Sequence, residues 1–252
     1  MNLIHVTTLT DRQKTDITTL TDACRQKEPL SLSAPSEDGL DYFLLYEKDE
    51  SSLLAFGFLF FPQETSCECA VFVHPSQRRK GYFSRILNAA LDHVEAIEKK
   101  TGLPVDFCFL TDEKTPSAMK TMEAIEAEYW YSEHKMVRKL TKKDSEYISK
   151  VTIAADSSSD STGLYTAALD GQLIGTCAIL PAGQEYYFYA FQIKDEFQGK
   201  GYGKDFLLGM LALLSEKASA VSLQVSGQNY IARNLYKKTG FKTTESLSYY
   251  LY

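Results

Sequence analysis

The sequence predicts an α/β chain of the α+β kind, organised as two modules that each place helices against a mixed sheet. Three observations predict it. Alternating apolar runs pass into runs of helical spacing, and that succession occurs twice. The stretch "VFVHPSQRRKGYFSRILNAAL" (71–91) overlays "FQIKDEFQGKGYGKDFLLGML" (191–211) at one offset, with Val73 on Ile193, Arg78 on Gln198, Lys80 on Lys200, Gly81 on Gly201 and Tyr82 on Tyr202. A charged stretch between the copies, "LTKKDSEYISK" (140–150), has the composition of a link. Domains at 1–140 and 141–252 follow.

The first module opens on helical spacing at 11–26. Alternation then marks strands near 41–47, 52–62 and 67–74, and the run "LLAFGFLFF" (53–61) reads as a buried strand. A helix near 81–99 and a strand near 105–110 come next. The second module lacks the opening helical pattern. Its strands fall near 150–155, 163–169, 172–180 and 186–194, before a helix that runs to about 218. Strand "VSLQV" (221–225), a helix at 230–238 and a strand within "SLSYYLY" (246–252) complete it. The polar run "DSSSDSTG" (156–163) has alternation on both sides and reads as a hairpin tip. The aromatic tail has the character of a strand that adds to a neighbouring module or chain.

Composition narrows the partners. The chain has 252 residues, a net charge of −6 and 44% hydrophobic residues. That balance argues against general affinity for nucleic acid or an anionic membrane, so any anion site must be built locally. The first residues carry no basic region followed by an apolar stretch, and no apolar run approaches the roughly 20 residues that span a bilayer. A cytoplasmic protein is expected. The five cysteines, Cys24, Cys67, Cys69, Cys108 and Cys177, are scattered and read as reduced core thiols. The four histidines supply no partners at ligand spacing, so no metal is expected.

The segment "DEFQGKGYGKDF" (195–206) sets Gly199, Gly201 and Gly203 on alternate positions, just before an apolar helix. Glycines at a strand-to-helix turn expose several N–H groups in one hollow, and the helix start adds its own unpaired N–H groups and partial positive charge. Such a hollow suits phosphate, with Lys200 and Lys204 reinforcing it. The plain alternative is a tight turn with solvated lysines. The spacing is neither the dinucleotide fingerprint nor a P-loop.

The next segment, "SGQNYIARNLYKKTGFK" (226–242), makes the reading specific. Residues Gln198 to Gly203 resemble the Gln/Arg-x-x-Gly-x-Gly/Ala pyrophosphate loop of the GNAT (GCN5-related) N-acetyltransferase superfamily. Asn229, Ala232, Leu235, Tyr236, Gly240 and Phe241 resemble its Asn-x-x-Ala-x-x-Leu-Tyr…Gly-Phe segment. The match covers roughly 185–242, and the repeat extends it to the first module as in the tandem members. The resemblance implies two GNAT-like modules with mostly antiparallel sheets, and acetyl-CoA or another acyl-CoA as co-substrate. It implies pantetheine bonded along Phe191, Gln192 and Ile193, and pyrophosphate on Gln198, Gly199, Lys200, Gly201, Tyr202, Gly203 and Lys204.

Amine attack on a thioester expels a thiolate, which benefits from a proton. Tyr236 occupies the position where the superfamily often keeps a general acid, and a phenol stays protonated at neutral pH. Packing on the helix face is the alternative role. Relatives often place a glutamate on the strand before the loop; here Tyr187 stands there, and nearby Glu185 is the candidate base, acting through water. Asn229 caps the helix that follows and, by the resemblance, lies near the pantetheine. Gly240 supplies the turn after that helix.

The first module departs from the pattern. Arg78, Arg79, Lys80 and Arg85 keep a basic loop, but Phe83 replaces its last small residue. Overlaying Ala118 on Ala232 puts Met122 at Tyr236 and Glu126 at Gly240. Methionine cannot donate a proton, so this module is not expected to catalyse. The aromatic run "EYWYSEHKM" (128–136) reads as packing or as a pocket wall. The expected activity is acyl transfer to a primary amine of a small molecule or peptide by a monomer or homodimer, without nucleic acid or membrane. The alternatives are a non-catalytic acyl-CoA sensor and, against the acidic composition, aminoacyl transfer from charged tRNA.

Overall fold

The computed structural model describes residues 1–155 and 163–252, so most of the expected hairpin tip lies outside the described residues. The chain forms two compact units, Met1–Ser132 with Ser246–Tyr252, and Glu133–Glu245. The division falls within strands rather than in the charged stretch at 140–150. In order the elements are β1 (Asn2–Val6), α1 (Asp11–Lys27), β2 (Asp41–Tyr46), β3 (Leu53–Gln63), β4 (Ser66–Val73), α2 (Tyr82–Thr101), β5 (Asp106–Asp112), α3 (Pro116–Ala124) and β6 (Glu128–Lys139). After these come β7 (Thr152–Ala155), β8 (Leu164–Leu169), β9 (Gln172–Ala182), β10 (Glu185–Ile193), α4 (Tyr202–Leu214), β11 (Ala220–Ser226), α5 (Tyr230–Lys238) and β12 (Lys242–Leu251).

In the first unit the sheet order is β1-β2-β3-β4-β5-β12, where Leu247–Leu251 of β12 pair antiparallel with Cys108–Asp112 of β5. The aromatic tail therefore completes the sheet of the first unit. Only β4 and β5 are parallel, as the crossover through α2 requires. Helix α1 buries Ile17, Leu20 and Cys24 against one face. Helix α2 buries Ile86, Leu87, Ala90 and Val94 against the other, where Met122 of α3 joins it. In the second unit the order is β6-β11-β10-β9-β8-β7, again with one parallel pair, β10 and β11, joined through α4. Its single core gathers Phe188, Phe206, Met210, Leu223 and Tyr236 on the helix-bearing face. Among the described residues this unit contributes no α-helix to its opposite face. No helix among the described residues is long and apolar enough to cross a membrane. All five cysteines are buried and free.

Three elements escaped the sequence reading. β1 has five partly exposed residues, and α3 has nine residues starting at a proline, too few for a period to emerge. β6 hides in the aromatic run: Tyr129 and Trp130 are more than half exposed, while Tyr131 stacks on Tyr249 at 4.3 Å. The charged stretch is also more ordered than a simple link. Asp205 of α4 accepts from Tyr147 Oη (2.7 Å), Ser149 Oγ (2.8 Å), Lys150 N (2.9 Å) and Val151 N (3.2 Å). Burial pushes that carboxyl's pKa up, but these donors outweigh it and hold it below its ordinary 3.8.

The repeat persists in the backbone. Gly81 and Gly201 both adopt left-handed φ, 80° and 86°, at the starts of α2 and α4. α3 and α5 each have nine residues, and Ala127 N→Met122 O and Phe241 N→Tyr236 O are both 3.0 Å. Where the second unit has Gly199 (φ 72°) and Gly240 (φ 91°), the first has Arg79 (φ 66°) and Glu126 (φ 58°). A residue with a Cβ loses roughly 1–2 kcal/mol in that conformation, whereas glycine's extra freedom when unfolded returns roughly 0.5–1. Arg79→Gly and Glu126→Gly are therefore each expected to stabilise the protein by about 0.5–1 kcal/mol in urea unfolding. A clear loss of stability in both variants would contradict this account of their backbone.

Candidate active site

The turn from β10 to α4 shapes the site. A short helical turn at Asp195–Phe197 is followed by the glycine loop. Gln198 Nε2 donates to Ile193 O (2.9 Å) and Asp195 Oδ1 (2.8 Å), and Lys200 Nζ donates to Glu196 O (2.7 Å). Both side chains thus brace the loop. The N–H groups of residues 199–204 have no acceptor among the described residues; the first helical bond is Asp205 N→Gly201 O. A Cβ added at Gly199 or Gly201 would meet nothing within 4 Å, so the hollow is open. Lys204 is exposed beside it.

The strands leading to this loop part from one another. β10 and β11 pair only at Glu185–Tyr187 with Ala220–Ser222, although β10 continues to Ile193 and β11 to Ser226. The β9–β10 register shifts between Tyr189 and Gln192, and Ala190 takes φ 49° there. This bulge re-aims the main chain of Phe191, Gln192 and Ile193. A Cβ at Gly203 would lie 3.5 Å from Ile193 Cγ1, 3.8 Å from Leu235 Cδ2 and 3.9 Å from Phe191 Cζ. The loop, the bulged strand and α5 therefore converge.

α5 brings Tyr236 inward. Asn229 caps that helix, its Oδ1 accepting from Ala232 N at 3.0 Å, and Gly240 turns the chain at its end. Burial pushes the Tyr236 phenol up to about 12, and nearby Cys177 adds to the shift. Its hydroxyl has no hydrogen-bond partner among the described residues, where Arg138 Nη1 is the sealed, unpartnered side-chain atom. The Tyr236 hydroxyl therefore opens onto reachable space.

Glu185 lies elsewhere. It sits at the first pair of the β10–β11 ladder, eight residues and roughly 26 Å along the strand from Ile193. The structure brings a different carboxylate to the open end of β11. Glu133 of β6 pairs with Ser226, and on the same face Gln224 Oε1 accepts from Tyr187 Oη at 3.0 Å. Burial raises the Glu133 carboxyl above its ordinary 4.5, and burial and then the Glu133 charge raise Tyr187. This face lies opposite the core that holds Tyr236. No local motif marks Glu133; a strand prediction over 128–139 would have been needed to place it.

The first unit repeats much of this geometry. β4 and β5 pair only at Ser66–Cys69 with Asp106–Phe109, then part around a cleft of about 570 Å³ bounded by Val73, Asp112, Tyr82 and Met122. The N–H groups of residues 79–84 have no acceptor among the described residues. Arg78, however, is committed to an ion pair with Glu28, which also accepts from Ser117. Burial would raise the Glu28 carboxyl, but Ser117 and Arg78 outweigh it and lower its pKa.

The acetyltransferase (GNAT) family model matches residues 10–105 and 119–241, most of the chain. The chain belongs to the GNAT family. Its two GNAT modules stand in tandem. A Bacillus subtilis (strain 168) protein described as the uncharacterized N-acetyltransferase YycN is 38% identical over 63 residues, which are 25% of this GNAT chain and 40% of that protein. The chain thus spans well under half the length of that relative. The GCN5-related N-acetyltransferase from Sphaerobacter thermophilus matches with a TM-score of 0.77 at 14% identity, over 99% of this chain and 95% of that one. A tandem GNAT protein from the clavulanic acid biosynthesis pathway matches with a TM-score of 0.57 at 13% identity, over 100% and 98% of the two chains. At these identities the structural matches speak for the fold alone.

Proposed function

We propose that the second unit transfers an acyl group, in the simplest case acetyl, from acyl-CoA to a primary amine of a small molecule or peptide. The observation that carries this reading is the run of unpartnered N–H groups at 199–204, beside parted strands and a buried, protonated phenol. The amide hollow and Lys204 suit a diphosphate, and the unpaired edge of β10 suits the amides of pantetheine. Acyl-CoA supplies the thioester carbonyl at which a new C–N bond forms while the C–S bond breaks. Tyr236 gives its proton to the departing sulfur. Glu133, directly or through water, takes the proton that the amine nitrogen sheds. Its raised pKa makes it a better base than an ordinary carboxylate. The geometry favours Glu133 over Glu185 because Glu133 lies at the open end of the strands. The acyl donor and the amine then meet from opposite faces of the sheet, where β10 and β11 leave a gap.

The first unit keeps the amide cradle but has Met122 in place of the phenol, so it carries no transfer in this reading. The five buried free thiols accord with work in the cytoplasm. The test is release of free thiol from acetyl-CoA with a panel of primary amines. Turnover is expected with at least one amine class, and Glu133→Gln is expected to slow it by about 10²-fold or more. Thermal stabilisation by acetyl-CoA without turnover across the panel would instead favour an acyl-CoA sensor. An unchanged rate in Glu133→Gln would remove that residue as the base.

A further inference from the structure

The fold assembles a group of side chains that no sequence spacing announces, and it corrects the expectation that the histidines have no ligand partners. His5 of β1, Asp41 of β2 and His93 of α2 converge in the first unit, with their ligand atoms within 4.8 Å of one another. His5 Nε2 lies 2.7 Å and His93 Nε2 3.3 Å from the same oxygen, Asp41 Oδ1. Three elements hold the set in place. The β1–β2 register pairs His5 with Phe43, two residues from Asp41 and on its face of the sheet. His5 stacks on Phe43 with centroids 4.6 Å apart and planes 5° from parallel. His93 comes down from α2, edge-on to both rings at interplanar angles of 63° and 68°. Neither imidazole has another hydrogen-bond partner among the described residues.

We propose that His5, Asp41 and His93 bind one divalent first-row transition ion, with Zn²⁺ as the reference ion. Two imidazole nitrogens and one carboxylate are a donor set for Zn²⁺ that leaves a fourth position for water. Bonds of about 2.0–2.2 Å in tetrahedral geometry put neighbouring donors about 3.3 Å apart. The His93–Asp41 separation already has that value, and His5–Asp41 needs to open by only about 0.6 Å. The side chains are 39%, 17% and 28% exposed for His5, Asp41 and His93, so an ion and its water have access. A single oxygen facing two imidazoles also invites a cation. Bound there, the ion ties the edge strand β1 to α2 across β2. The proposal is independent of acyl transfer.

The test uses the full chain without an affinity tag, stripped with a chelator. Titration with ZnCl₂ is expected to show one ion per chain at micromolar or tighter dissociation constant. CoCl₂ is expected to give the visible absorption of a low-coordinate cobalt site. His93→Ala and Asp41→Asn are each expected to weaken zinc binding at least tenfold. Because a variant that disturbs packing would lose zinc for another reason, a second measurement uses the unaltered protein: zinc is expected to shield His5 and His93 from diethylpyrocarbonate, leaving His74 reactive. Absence of zinc binding, or binding that leaves His5 and His93 fully reactive, would overturn the proposal. So would an affinity unchanged in a folded His5→Ala/His93→Ala protein.

Discussion

Tyr236→Phe is expected to lower kcat for acyl transfer by about 10²–10⁴-fold, the range typical for losing a general acid. Acetyl-CoA affinity is expected to stay within threefold. The physical basis is the state of this phenol. Burial lifts its pKa to about 12, so it is protonated throughout the neutral range and always has a proton to give. Its hydroxyl has no partner among the described residues, so deletion strands no other polar group there and removes no bond among them. The ring keeps its packing, including the contact with Phe241 at 5.7 Å between centroids. A selective loss of kcat with unchanged Kd and melting temperature is therefore the signature of proton donation. Single-turnover measurements with saturating acetyl-CoA keep product release out of the comparison. If the variant turned over at the parental rate with the same amine, the phenol would be a packing residue.

Gly201→Glu is expected to weaken coenzyme A binding by about 100-fold or more. Two effects act in one direction. Gly201 sits at φ 86°, where a side chain loses roughly 1–2 kcal/mol. The new carboxylate also stands in an open hollow lined by N–H groups, and a like charge beside the diphosphate costs several kcal/mol. Gly201→Asn separates the two, because asparagine tolerates left-handed backbone and brings no charge. Its affinity is expected to lie between those of the parent and the glutamate variant. Calorimetry with coenzyme A measures all three. The first unit has its own set of N–H groups without an acceptor among the described residues, so the number of sites must be fitted along with the affinity. A Gly201→Glu protein that kept every parental site at parental affinity would rule out this hollow as the diphosphate cradle.

Much of the second unit was legible because its signals are local. Glycine is the residue that enters left-handed backbone at little cost, so Gly199, Gly201 and Gly240 mark turns that the structure contains. Asn229 announces a cap, and the cap is there. Even the first unit's departure from the motif was readable at Met122, although the left-handed Arg79 and Glu126 were not, since nothing in those side chains signals that conformation. The carboxylate proposed here as the base was not legible. Glu185 stands near the motif in sequence but at the closed end of the ladder, whereas Glu133 reaches the open end through a strand masked by its aromatic neighbours.

By itself the sequence determined that the chain carries two copies of one βαβ plan, and that the second copy combines an amide-rich loop with a phenol on the helix after the next strand. Those features need only periodicity, glycine and short offsets along one stretch of chain. Only the tertiary structure decided that the last strand completes the sheet of the first unit, that Arg78 is spent on Glu28, and that His5, Asp41 and His93 share one oxygen. Each of these joins residues far apart in the chain. Such contacts arise from strand pairing and helix packing across the fold, and they leave no spacing in the sequence from which they can be read.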